Sequence, residues 1–86
     1  MTTEEIRKLL EEGKLIIGHN ETVHALESGS AAKVLLAQNA PAAQRGVVEE
    51  YAQMQKTPVV ALEVSNTALG TVCRKPFAIS FIAVRQ

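Results

Sequence analysis

Four short, largely apolar runs divide this sequence, and the stretches between them show the spacing of amphipathic helices. Strands that are apolar at nearly every position belong to sheets covered on both faces, whereas apolar residues three and four apart predict helices. The resulting order αβαβαβαβ indicates an α/β fold with helices on both sides of a small central sheet. The predicted strands are 14–17, 33–37, 59–63 and 77–84.

Capping residues set the ends of the predicted helices. Thr2 and Glu5 have the spacing of a capping box, which predicts a first helix that Gly13 closes. The later helices are expected to be capped by Asn20, to start near Pro41, and to be capped by Ser65 or Asn66. Three loops then follow the first three strands, at 18–21, 38–41 and 64–68. Ligands of α/β sheets bind at the ends of strands, so function is expected in these loops.

The length and composition favour a single small domain, residues 1–86, since 86 residues with 47% apolar content suffice for one core. No apolar run approaches the roughly 20 residues that span a bilayer, and the acidic start lacks a signal-peptide region, so we expect a soluble, cytoplasmic protein. The lone Cys73 excludes an internal disulfide and a zinc-finger scaffold. Beside Arg74 and Lys75 its thiol has two interpretations, a lowered pKa or a half-buried helix residue.

The charges are balanced overall but unevenly distributed. Nine Lys and Arg residues face nine acidic residues, all of them Glu, and zero net charge argues mildly against a nucleic-acid partner. Residues 64–86 nevertheless contain three basic residues and no acidic one, whereas residues 1–13 carry a net charge of −2. This polarity permits a local basic face.

Several motifs resemble parts of enzyme sites but lack what the chemistry needs. The glycines of 13–18 have phosphate-loop spacing, yet no Lys-Ser/Thr ending follows them and a predicted strand runs through them. His19 and His24 would lie about 140° apart on a helix, which spoils a two-histidine metal site. Ser30 and Lys33 match Ser-x-x-Lys, but acyl-transfer enzymes with that motif need a much larger scaffold. We expect no enzyme, no metal and no cofactor.

Four segments of the sequence carry a shared signal: Gly18–His24, Lys33–Pro41, Asn66–Thr71 and Lys75–Phe77. In this order and spacing they resemble the kink-turn RNA-binding superfamily of archaeal and eukaryotic ribosomal proteins. Each segment alone is a weak signal, but the resemblance extends from about Ile6 to Val84. It implies a three-layer α/β/α sandwich with a small four-stranded mixed sheet.

The resemblance also implies a function. Members of this superfamily bind sharply bent RNA in which two stems flank an internal loop with tandem sheared G·A pairs. Irregular sites of this kind expose base edges that a regular A-form helix hides. The expected partner is therefore ribosomal RNA or another kink-turn RNA, with other ribosomal proteins, as part of the cytoplasmic large subunit. Neutral charge leaves an alternative open, a protein-interaction domain of the same fold that has lost its RNA surface.

Matching the superfamily residue by residue assigns the expected RNA contacts. Gly18 would let the RNA approach the backbone, while Asn20 and Glu21 would read guanine edges. Relatives in the small nucleolar RNA-binding branch carry Lys where this chain has His24, so its site has one positive charge fewer near neutral pH. Further base or stacking contacts are expected from Asn39 and Phe77, and phosphate contacts from Lys14, Lys33, Arg74 and Lys75, with Arg45 a weaker candidate.

The same residues have purely structural interpretations. Asn20 is a good helix N-cap, and Glu21 in a first helical turn stabilises the helix dipole. Asn39 close to Pro41 is typical of a turn. Phe77 fits a core position as readily as an RNA-binding one.

Overall fold

The computed structural model describes residues 2–86, in which helices and strands alternate in the predicted order. The helices are α1 (Thr3–Glu11), α2 (His19–Glu27), α3 (Ala42–Met54) and α4 (Asn66–Val72). The strands are β1 (Leu15–Ile17), β2 (Ala31–Leu36), β3 (Val59–Ala61) and β4 (Phe81–Arg85). Within residues 2–86, every helix is too short or too polar to cross a membrane.

The strands form one mixed sheet in the order β1-β4-β2-β3. β2 and β3 are parallel, while β4 is antiparallel to both β1 and β2. β1, β2 and β3 therefore all point the same way and finish at one end of the sheet, where β4 begins. We call this the loop end, and it comprises residues 18–21, 38–41, 62–66 and 75–80.

Helices cover both faces of the sheet, which confirms the three-layer α/β/α prediction. Alternate residues of β2 point to opposite faces, so that Leu35 joins one core and Val34 and Leu36 join the other. Burying such side chains contributes about 1.5–3 kcal/mol each. The core under α1 and α4 includes Ile6, Leu62, Leu69 and Ile82, and the core under α2 and α3 includes Leu26, Val48 and Phe81.

Three helix starts agree with the sequence and one does not. The helix expected to start near Pro41 begins at Ala42. Glu5 N–H donates to the Thr2 hydroxyl at 3.2 Å, and Ala68 N–H donates to the Ser65 hydroxyl at 3.2 Å. The prediction that Asn20 caps α2 is wrong, because the helix begins two residues earlier with Gly18 as its N-cap. Gly18 has φ +118°, a conformation that glycine adopts without steric cost.

The last strand is shorter than predicted. Residues 77–80, of which the first three are apolar, were expected to begin it, but β4 starts at Phe81. Ile79 N–H instead donates to the Asn66 carbonyl at 2.9 Å, so this segment lies back along α4. β3 likewise ends at Ala61, two residues before its predicted end.

Candidate functional site

Backbone hydrogen bonds hold the loops together at the loop end. Gly18 N–H donates to the Phe81 carbonyl at 3.0 Å, and Ala37 N–H to the Ser80 carbonyl at 2.9 Å. Gln38 N–H donates to Val64 at 2.8 Å, which joins the β2 and β3 loops. The expectation that the loops after the first three strands converge is confirmed.

Glu21 and Gly18 fit together at the start of α2. The Glu21 side chain folds back over Gly18, and a Cβ at position 18 would collide with the Glu21 carboxylate. Glu21 lies in the first turn of the helix, as its structural interpretation requires. It is also exposed, so its carboxylate remains accessible to a ligand.

His19 orients Asn20. The Oδ1 atom of Asn20 can only accept, so the 3.3 Å contact to His19 Nδ1 requires the tautomer with a proton on Nδ1. The His19 ring packs edge-on against Phe81, with ring centroids 5.2 Å apart. The amide NH₂ of the exposed Asn20 is then left free to donate to a ligand. His19 was not predicted to be a site residue.

Asn39 and Asn66 brace three segments of the loop end. Asn66 N–H donates to Asn39 Oδ1 at 2.7 Å, and Asn39 Nδ2 donates to Asn66 Oδ1 at 3.2 Å. Asn66 Nδ2 also reaches the Ser80 hydroxyl at 3.4 Å. Asn39 therefore hydrogen-bonds to another segment, the start of α4, rather than stabilising its own turn. Asn66 lies in one of the four segments that resemble the superfamily, but it was not predicted to be a site residue.

The segment that precedes β4 forms one wall of a cleft of about 650 Å³ at the loop end. Phe77 is 57% exposed, which excludes its interpretation as a core residue. Glu21, on α2, also lines this cleft. Lining residues include Gly18, His19, Glu21, Gln44, Lys75 and Phe77.

The predicted phosphate-contacting residues divide into two groups. Lys75 lines the cleft, and Arg74 precedes it in the chain. Lys14 comes just before β1 and Lys33 pairs with Val84 near the end of β4, so both lie at the opposite end of the sheet. The structure therefore does not bring them to the cleft. Arg45 forms an ion pair with Glu49 at 2.7 Å on α3, which offsets its charge.

His24 is exposed one helical turn beyond Asn20. It faces a second groove that extends from Asn20 and Glu21 along α2. The structure thus places His24 next to the predicted base-reading residues but outside the cleft that contains Lys75.

Cys73 is almost completely buried at the end of α4. This agrees with the interpretation as a half-buried helix residue, although the burial is greater than expected. Burial raises the pKa of the Cys73 thiol, and the nearby Lys75 charge only partly opposes that rise. A reactive thiolate is not favoured here. Within residues 2–86, no three His, Cys or Glu side chains are grouped so as to hold a metal ion.

The layered sheet with its loop end defines a fold found in solved structures. The chain superimposes on the Giardia lamblia 15.5 kD RNA binding protein with a TM-score of 0.79, at 19% identity, over 94% of this chain and 68% of that one. A Bacillus halodurans protein described as of unknown function gives a TM-score of 0.83, also at 19% identity, over 91% of this chain and 77% of that one. At such identity these likenesses show the fold alone.

The family follows from sequence. Residues 2–86 match the profile of the ribosomal protein L7Ae/L30e/S12e/Gadd45 family, and the chain belongs to this family.

Three curated relatives that are similar over most of this chain carry the name large ribosomal subunit protein eL30. The Methanosarcina mazei protein is 44% identical over 77 residues, which is 90% of this chain and 71% of the relative. The Methanosphaera stadtmanae protein is 31% identical over 81 residues (94% and 83%), and the Candida albicans protein 35% over 75 residues (87% and 71%). These relatives are ribosomal proteins, which confirms the prediction that the chain is not an enzyme.

Proposed function

We propose that this chain is a single RNA-binding domain of the cytoplasmic large ribosomal subunit, and that its loop end recognises a kink-turn. The observation that carries this proposal is the cleft that Gly18, Glu21, Lys75 and the exposed Phe77 line together. Membership of a ribosomal protein family and the similarity to eL30 proteins support it.

The chemistry of the cleft fits bases better than phosphates alone. A carboxylate beside a polyanion is unfavourable unless it accepts hydrogen bonds from base N–H groups, and guanine edges offer such donors. Glu21 supplies the acceptor. Asn20, which lines the adjacent groove rather than the cleft, presents an NH₂ donor, while its Oδ1 contacts His19. Phe77 offers an apolar surface against which a base can stack. Lys75 adds a positive charge that can contact phosphates of the RNA backbone.

The role of Asn39 differs from that of these residues. Both polar ends of its side chain already bond to Asn66. We therefore assign Asn39 chiefly to holding the β2 loop in place, with any contact to RNA secondary.

The neutral net charge favours the second candidate, a protein-interaction domain. A binding assay separates the two. The protein is mixed with a kink-turn RNA and with the same RNA in which the G·A pairs are disrupted. Strong preference for the intact kink-turn is expected. Equal binding would contradict kink-turn recognition, and absence of binding to either RNA would support the protein-interaction candidate.

Replacing Lys75 with Ala should weaken binding to intact and disrupted RNAs alike. The slope of log K against log salt should fall by about 1, because one phosphate contact releases its counterion without reading sequence. Lys33→Ala is the matched control, since Lys33 lies at the opposite end of the sheet. An unchanged slope for Lys75→Ala would remove Lys75 from the interface.

Lys56 provides a matched comparison for Arg74. Both follow helix ends with positive φ, 59° and 54°, a conformation that costs a side-chain-bearing residue about 1–2 kcal/mol. Glycine relieves that cost but loses roughly 0.5–1 kcal/mol through chain entropy. Arg74→Gly and Lys56→Gly should therefore change the free energy of unfolding similarly, by at most about 1 kcal/mol.

Only Arg74→Gly should lower RNA affinity, because Lys56 precedes β3 at the opposite end of the sheet. Salt-dependent binding and chemical denaturation of both variants provide the measurement. Equal affinities for the two variants would place Arg74 outside the interface.

A further inference from the structure

A like-charged pair lies at the end of the sheet opposite the loop end. β1 and β4 pair Leu15 with Val84, so Lys14 and Arg85 are the next opposed residues. Arg85 N–H donates to the Lys14 carbonyl at 2.8 Å, which confirms that register. Like charges at directly opposed positions of a ladder repel each other.

The protein provides little compensation for this repulsion. Both side chains are exposed, and neither forms an ion pair within the part of the chain that the structure describes. Glu27, the acidic residue in the last turn of α2, does not line the groove beside Arg85. A bound anion would relieve the repulsion between Lys14 and Arg85.

The pair lies on the α2 side of the sheet. Ile16 and Ala83 point toward the core under α2 and α3. Lys14 and Arg85 are two residues from them along β1 and β4, and side chains two residues apart in a strand share a face.

A groove of about 600 Å³ extends from the loop end to Arg85, and Lys14 lies beyond its lining, opposite Arg85 in the ladder. It follows α2, whose nine residues span about 13 Å. The groove begins at Asn20 and Glu21, passes His24, and ends at Arg85. Two hydroxyl groups line its far end, those of Ser28 and Ser30, which lie 2.8 Å apart.

We propose that this groove holds the phosphodiester backbone of an RNA stem that continues from the loop end. Arg85 contacts its phosphates at the end of the groove, and Lys14 does so from the position opposite Arg85. Ser30 donates a hydroxyl hydrogen bond, since the Ser28 hydroxyl already donates to the Ala25 carbonyl at 3.2 Å. The inference rests on the proposed function, since the stem must first be anchored at Asn20 and Glu21. A path of about 13 Å places the contact on the order of four base pairs from the internal loop.

Stem length provides the test. The wild-type protein, Arg85→Gln and Lys14→Gln are measured against two kink-turn RNAs, one with a stem of about eight base pairs beside α2 and one with that stem cut to about two. With the long stem, each substitution should weaken binding and lower the salt slope by about 1. With the short stem, neither substitution should change affinity.

Two variants control the interpretation. Arg85→Lys keeps the charge and should keep most of the affinity for the long stem. Lys33→Gln removes a charge from the same end of the sheet, but from the face that carries Leu35 and α1, and should leave both affinities unchanged.

The outcomes separate this inference from the proposed function. If Arg85→Gln binds the long stem as tightly as wild type, or loses affinity equally for both stems, the groove does not bind the stem. If the wild-type protein does not distinguish an intact from a disrupted kink-turn, the proposed function fails instead. Loss of affinity confined to the long stem supports the groove.

Discussion

Gly70→Ala should destabilise the protein by about 1–3 kcal/mol, the range for overpacking a well-packed site, although alanine is the better helix former. Gly70 is buried within α4, and a Cβ there would collide with the Phe77 carbonyl oxygen and lie 3.1 Å from the Phe77 carbonyl carbon. Both obstacles are backbone atoms, so no side-chain rotation relieves the overlap. The segment that carries Lys75 and Phe77 has to move away from α4.

Gly46→Ala is the control that isolates this effect. Gly46 also lies inside a helix, α3, but a Cβ there meets nothing within 4 Å. This substitution should therefore stabilise the protein by about 0.5–1 kcal/mol through helix propensity alone. Denaturant unfolding of both variants gives the comparison. Stabilisation by both substitutions would show that the Phe77 segment does not lie tightly on α4.

Gly70→Ala also tests whether packing on α4 positions the residues of the RNA cleft. If Phe77 and Lys75 form one wall of the RNA cleft, their displacement should weaken kink-turn binding in protein that is still folded. Gly46→Ala should leave that binding unchanged, because α3 contributes only Gln44 to the cleft lining described above.

The fold was largely predictable because its strands are apolar runs and its helices carry local caps. Lys33–Ala37 is apolar beyond its first residue, as a covered strand requires, and Thr2 and Ser65 supply their own capping hydroxyls. Residues 77–79 are also apolar, yet they are not in a strand. Their hydrogen bond from Ile79 to Asn66 is a tertiary contact that local pattern does not reveal.

The site was predictable where it depends on strand direction and less so where it depends on side-chain contacts. Gly18 and Glu21 follow β1, at the end of the sheet where β2 and β3 also finish. Phe77 lies at the same end because it precedes β4, which is antiparallel to β1 and β2. Lys14 and Lys33 were assigned to the same surface, although both stand at strand beginnings and therefore at the other end of the sheet. The hydrogen bond from His19 to Asn20 had no sequence signal, since a histidine beside an asparagine is common in any helix start.

Glu21→Gln should lower affinity for the intact kink-turn by about 1–3 kcal/mol, roughly 5- to 150-fold, the range of a base-specific contact. Glutamine keeps the size of the side chain and one acceptor, but it places an NH₂ donor where guanine N–H groups also donate. Because Glu21 stands in the first turn of α2, its charge also interacts with the helix dipole. Loss of that interaction should cost only about 0.3–1 kcal/mol of folding stability.

Glu27→Gln is the matched control, an exposed glutamate in the last turn of the same helix. It removes the same charge from the protein, so a general reduction of repulsion from RNA would raise affinity in both variants. If Glu21 reads bases, the two substitutions should affect RNA affinity differently. Glu21→Gln should bind the RNA more weakly than wild type, and Glu27→Gln equally or slightly more tightly. The difference should vanish on RNA with disrupted G·A pairs, where the guanine edges are no longer presented. If Glu21→Gln retains full affinity and loses only stability, the Glu21 carboxylate stabilises the helix alone. The prediction that this residue recognises guanine would then be wrong.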